Sequence, residues 1–107
     1  MADILARIPV VGGVAYIERI RGLPSTFSVT LAAEPENRYF RHAIAVLANG
    51  EKLGYVAPEI APGYYDMVKA SASPLTCPGR RAWPIDHESS GVEVLLDFSS
   101  LPPPAAA

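Results

Sequence analysis

The sequence has 107 residues, enough for one domain and too few for two, because independent hydrophobic cores run to about 100–150 residues each. Half of the residues are hydrophobic and 19% are charged, which excludes an intrinsically disordered chain. Against 11 acidic side chains stand 9 basic ones, for a net charge of −2, so electrostatic coating of duplex nucleic acid is excluded and only a local basic patch remains.

The first apolar run, residues 8–16, holds Pro9, Gly12 and Gly13, lacks a small-residue cleavage site and is too short to cross a bilayer. It is expected to be a buried strand, not a targeting or membrane segment. Next, Phe27, Val29, Leu31 and Ala33 alternate with Ser28, Thr30 and Ala32, the pattern of a half-buried strand. Residues 43–48 and 52–56 flank Asn49-Gly50, a dipeptide that readily takes the two positive φ angles of a type I′ turn, which predicts a β-hairpin. Ile60, Tyr64, Met67 and Val68 then fall at the spacing of one helix face. With Pro62 at the first helical position, a turn is expected over 58–61 and a helix over 62–71. Residues 74–85 read as a weaker strand, interrupted by Pro78, Gly79 and Pro84 and suited to a sheet edge. Alternation over 92–98 gives the last strand, and the Pro- and Ala-rich residues 102–107 form a disordered tail, leaving 1–101 as the single domain. The expected class is all-β with one or two short helices: a six-stranded small barrel with a helix over one opening. Its predicted core is Phe27, Val29, Leu31, Ile44, Val46, Leu53, Ile60, Val94 and Leu96.

Signals for chemistry are poor. Cys77 is the only cysteine, so no intramolecular disulfide exists and a reducing, cytoplasmic location is expected. His42, Cys77, Asp86 and His87 lack the spacing of a tetrahedral zinc site. The acid, base and hydroxyl of Asp86-His87-Glu88-Ser89-Ser90 are neighbours in a polar loop and point in different directions, whereas triads are assembled from distant segments. Asn49-Gly50-Glu51-Lys52-Leu53-Gly54 lacks the spacing of a phosphate loop and sits in a hairpin turn. No catalytic residue, no metal and no cofactor is therefore expected, and the chain is read as a non-enzyme.

The most informative stretch is Glu34-Pro35-Glu36-Asn37-Arg38-Tyr39-Phe40-Arg41-His42-Ala43-Ile44-Ala45-Val46, followed by Gly54-Tyr55-Val56 and Pro58-Glu59-Ile60-Ala61. It resembles the HIRAN domain, whose members typically read Glu-Pro-x-Asn-x-Tyr-Asp-x-Asn-Ala-Ile-x-Val, then hydrophobic-Gly-Tyr or His, then Pro-x-Glu-Ile-Ala. In physical terms Asn37 can bond its own backbone and hold the loop, Pro35 stiffens its entry, and Gly54 allows a close backbone approach. The resemblance implies a modified OB-like barrel, found alone in bacterial and phage-type proteins or fused to helicases. The best understood member captures the 3′-hydroxyl end of single-stranded DNA.

OB barrels bind single strands by stacking bases on aromatics beside a basic track. By that logic Arg38, Tyr39, Phe40, Arg41 and Tyr55 are the candidate nucleic-acid-binding residues, with Arg19, Arg21 and Lys52 as further cations and Tyr16 and Trp83 as packing residues. The family's Arg-Tyr pair after the first-strand glycine is replaced here by Val14 and Ala15. The aspartate that accepts the terminal hydroxyl is replaced by Phe40, the histidine by Tyr55 and a nearby lysine by Pro58. The expected function is weak single-stranded nucleic-acid binding without strong 3′-end selectivity, accessory to DNA repair or replication, with a helicase or repair protein as a partner. The nucleic-acid reading expects Arg38 to Arg41, Arg19 and Arg21 on one face. The alternative is a protein-interaction module, which expects an exposed apolar patch around Phe40 and Tyr55.

Overall fold

The computed structural model describes residues 7–81 and 94–101. Six strands, β1 (Ile8–Val11), β2 (Thr26–Ala33), β3 (Ile44–Ala48), β4 (Glu51–Val56), β5 (Leu75–Arg81) and β6 (Val94–Leu96), close a barrel in the order β1-β4-β3-β2-β5-β6. Every pairing is antiparallel, and β6 returns to β1 through Ile8 opposite Leu96. The chain is thus mostly β, as its alternating pattern predicts. In β2 Val29 and Leu31 are buried and Phe27 packs half-buried against the core, while Ser28 stays exposed. The β3–β4 hairpin turns on Asn49 (φ 54) and Gly50 (φ 80), the two positive angles that a type I′ turn requires.

The first apolar run does not remain a strand to residue 16. It stops at Val11, because Gly12 adopts a left-handed φ of 76° that breaks the pleat. A 3-10 turn over Gly13–Tyr16 follows, closed by Ala15 N donating to Gly12 O at 3.2 Å, and then the short helix α1 (Ile17–Arg21), which buries Ile20. The second helix, α2 (Ala61–Ala70), starts one residue before the expected position. Pro62 sits in its first turn, where a missing N–H leaves no intrahelical bond unmade. Tyr64 and Val68 are buried as the spacing predicts, but so is Tyr65, whereas Met67 and Ile60 are only partly covered. The helix packs on β2 and β3, and its Tyr64 ring meets Phe98, just past β6, edge-on at 4.8 Å. Its side chains therefore join the barrel core from one end.

The edge placement expected for β5 is wrong: β5 is hydrogen-bonded to β2 on one side and to β6 on the other. Proline is tolerated there because Pro78 lies opposite the chain just beyond the last residue of β6. The ladder needs only its carbonyl at that point, accepting from Asp97 N at 3.0 Å. Of the predicted core, Val29, Leu31, Ile44, Val46, Leu53, Val94 and Leu96 are buried, joined by Ile8, Val10, Ile20, Cys77 and Phe98. Residues 82–85 of the predicted weak strand, Trp83 among them, the polar loop 86–90, residues 92 and 93, and the tail 102–107 lie outside the described residues.

Candidate nucleic-acid interface

The ladder between β2 and β3 runs one rung past Ala33, where Glu34 N donates to Ala43 O at 2.9 Å, and the chain then leaves the sheet as a loop over residues 35–42. Asn37 organises that loop. Its Oδ1 accepts from the backbone N–H of Tyr39 at 2.8 Å and of Phe40 at 2.9 Å, and its Nδ2 donates to Glu34 Oε1 at 3.1 Å. This is the local bonding expected of an Asn that holds a turn. The braced loop presents Tyr39 with 88% of its surface exposed, the only large hydrophobic side chain so placed among the described residues. Phe40 is half-buried, its ring 5.7 Å from that of Tyr55 and tilted by 47°. Arg38 and Arg41 are exposed, and neither has an ion-pair partner among the described residues. Tyr39, Phe40, Arg41, Tyr55, Pro58 and Pro62 line an open cavity of about 200 Å³ between this loop, β4 and the start of α2.

The position of Tyr55 depends on an irregularity in β4. Residues three apart on a regular strand face opposite sides, so Lys52 and Tyr55 are not expected to meet. In the β3–β4 pairing, however, Val46 lies opposite Gly54 while Leu47 lies opposite Lys52, leaving Leu53 as an extra residue. This β-bulge resets the alternation, so that Leu53 and Val56 both turn inward while Lys52 and Tyr55 share the outer side. Gly54 sits in this bulge at φ 147°, a backbone angle that residues with a side chain rarely adopt.

A closed triad results. Lys52 Nζ donates to Tyr55 Oη at 2.8 Å, Tyr55 Oη donates to Glu34 Oε1 at 2.9 Å, and Lys52 Nζ lies 2.6 Å from Glu34 Oε2. Burial pushes the Glu34 carboxyl up, but the hydrogen bonds from Lys52, Asn37 and Tyr55 outweigh it and hold the group below its ordinary value. The same bonds, to Glu34 first and Tyr55 second, raise the Lys52 ammonium above its ordinary value. Arg19 donates from Nη1 to the backbone Lys52 O at 2.8 Å, with its guanidinium 5.2 Å from the Tyr16 ring centre, and lines a separate hollow with Tyr16 and Glu18, not the cavity beside Tyr39. Arg21 instead pairs with Glu18 at 3.3 Å.

The structure therefore gathers Tyr39, Phe40, Arg41 and Tyr55 around one cavity, with Arg38 beside them in the loop. Lys52 is engaged by a carboxylate and is not an open cation. Glu34 was not singled out from the sequence as a site residue. The signal that exposes it is Gly54 inside an otherwise good strand pattern, which marks a bulge and so brings residue 52 and residue 55 to one side. Among the described residues no cluster of three or more His, Cys, Asp or Glu side chains is arranged to hold a metal ion, and no helix is long and apolar enough to cross a membrane.

The closed antiparallel barrel thus carries an aromatic loop with two exposed arginines that have no ion-pair partner among the described residues. The HIRAN domain model matches residues 9–75, more than half of the chain, and the chain belongs to the HIRAN domain family. That membership makes it, in general character, a nucleic-acid-binding module. No curated protein and no solved structure matches the chain.

Proposed function

We propose that the chain binds single-stranded nucleic acid through the loop over residues 38–41 and the Tyr55 ring, by stacking and without selection for a free 3′ hydroxyl. The observation that carries this reading is Tyr39: a large aromatic held almost fully in solvent by a loop whose backbone is pinned by Asn37. A side chain so exposed contributes little to the core, whereas a ring carried into solvent on a pinned backbone offers a base an open face. Arg38 and Arg41 supply charge for phosphates on either side. Terminal selection has no support, since Phe40 stands where the family's hydroxyl acceptor lies and a phenyl ring accepts no hydrogen bond of useful strength. The protein-interaction alternative calls for an exposed apolar patch, and Phe40 and Tyr55 are instead half-buried against each other. Catalysis is not part of the proposal.

Fluorescence anisotropy with matched oligonucleotides ending in 3′ hydroxyl or 3′ phosphate tests it. Tyr39→Ala should weaken binding by about five-fold or more, because a stacked base is worth about 1–3 kcal/mol. It should leave the melting temperature unchanged. Equal affinity for the two termini is expected, and a strong preference for the hydroxyl, or no binding of any strand at low salt, would overturn the reading.

A further inference from the structure

Lys52 does not line the cavity but bonds the hydroxyl of Tyr55, which does, and in sequence looks like a phosphate contact, yet its charge is already paired. Glu34 Oε2 lies 2.6 Å from Nζ, and the two side chains are only 23% and 28% exposed, so the pair is less screened than one on an open surface. The other carboxylate oxygen and the Tyr55 hydroxyl are engaged too. Glu34 Oε1 accepts from both Tyr55 Oη and Asn37 Nδ2, and the Tyr55 hydroxyl donates to Glu34 while accepting from Lys52. A phosphate that took Lys52 would strand a half-buried carboxylate, at a cost that one exposed contact does not recover.

We propose that Glu34 is a specificity-determining residue of the site: by neutralising Lys52 and occupying the Tyr55 hydroxyl, it makes that side of the cavity accept the face of a nucleobase and refuse a phosphate. This deepens the single-strand reading above and rests on it. Phosphates are left to Arg38 and Arg41 on the loop, which are exposed and without ion-pair partners among the described residues. Tyr55, its hydroxyl engaged, contributes its ring and reads no base edge. Recognition at this position is therefore indifferent to base identity.

The test uses the full chain and a fluorescein-labelled oligothymidine, with affinity followed across a salt series. Each phosphate contact on a single strand contributes about 0.7 to the slope of log affinity against log salt. Wild type and the doubly neutral Glu34→Gln/Lys52→Met variant should share one slope, because both carry no net charge at the triad. Glu34→Gln alone should steepen it by about 0.7 as Lys52 becomes available. A double variant shallower than wild type by that amount would show that Lys52 already contacts phosphate and would overturn the assignment of Glu34. A Glu34→Gln slope equal to that of wild type would do the same. If Glu34→Gln fails to fold, the double variant still decides the question. Absence of wild-type binding to any strand would overturn the nucleic-acid reading itself, an outcome distinct from either of these.

Discussion

Asn37 bonds two successive backbone N–H groups and the Glu34 carboxylate, so one amide links the loop that shows Tyr39 to the triad beneath Tyr55. Asn37→Ala removes all three bonds, and it should lower stability by about 1–2 kcal/mol, as denaturant melts would read, with a parallel loss of affinity. A loss of affinity with no loss of stability would show that the loop is held by other means. The Glu34–Lys52 pair also sets a pH dependence with a definite sign. Glu34 titrates below its ordinary 4.5 in the folded chain, so its contribution is present above that pH and is lost as pH falls through the lower folded value. Lys52 titrates above its ordinary 10.5, so its contribution is present below that pH and is lost as pH rises through the higher folded value. Glu34→Gln should accordingly flatten the acid limb of the stability profile, and an unchanged limb would assign it to other carboxylates. Cys77 is buried in the core and its thiol is pushed up to about 12, by burial first and by the nearby Asp97 charge second. It should react with a thiol reagent only at the rate at which the barrel opens, and rapid labelling of the folded chain would contradict its burial.

At the level of elements, two glycines carry constraints that no other residue meets. Gly54 is buried at φ 147° in the β4 bulge, so Gly54→Ala should cost about 1–3 kcal/mol and weaken binding by turning Tyr55. A Cβ on Gly79 of β5 would stand 2.9 Å from Phe27 Cε2 and 3.3 Å from Val29 Cγ1, a clash that only movement of the Phe27 ring relieves. The elements legible in the sequence were those where one period dominates: β2 with its strict alternation, the hairpin with its Asn-Gly turn, and α2 with its apolar face. Where two signals compete, periodicity alone misplaces the element. Residues 8–16 are apolar throughout, and the conformation of Gly12 decided where the strand ends. Pro78 suggested an edge, yet a closed barrel has no edge, and the missing donor falls where β6 has already ended. The Tyr39 and Phe40 loop could be located from its residues, but the triad could not, since the bulge that brings Lys52 to Tyr55 depends on the register between two strands.

For the whole molecule, closure is what makes a short chain stable. Among the described residues its antiparallel ladders leave no strand unpaired, and one continuous core takes side chains from the six strands and the two helices found there. Leu31→Ala or Ile44→Ala, each at the centre of that core, should cost about 2–5 kcal/mol, measured by chemical denaturation. A change near zero at both positions would mean that the interior is not packed as described. The family match ends at residue 75, the first residue of β5, yet β5 and β6 complete the ring and bury Cys77, Val94 and Leu96. The stretch with the clearest sequence pattern thus holds the Tyr39 loop, while barrel closure rests in part on β5, whose pattern is weaker.

The β1–β6 seam has an architectural consequence. Ile8 faces Leu96 across it, and Arg7 and Asp97 flank the same surface hollow, so the polypeptide enters and leaves the ring side by side. Such a unit, spliced into a surface hairpin of a host protein, should act as a cassette that does not force the host's two strands apart. Two separate unfolding transitions, one for host and one for barrel, are the expected result, and loss of the host's own transition would show that the entry and exit points diverge.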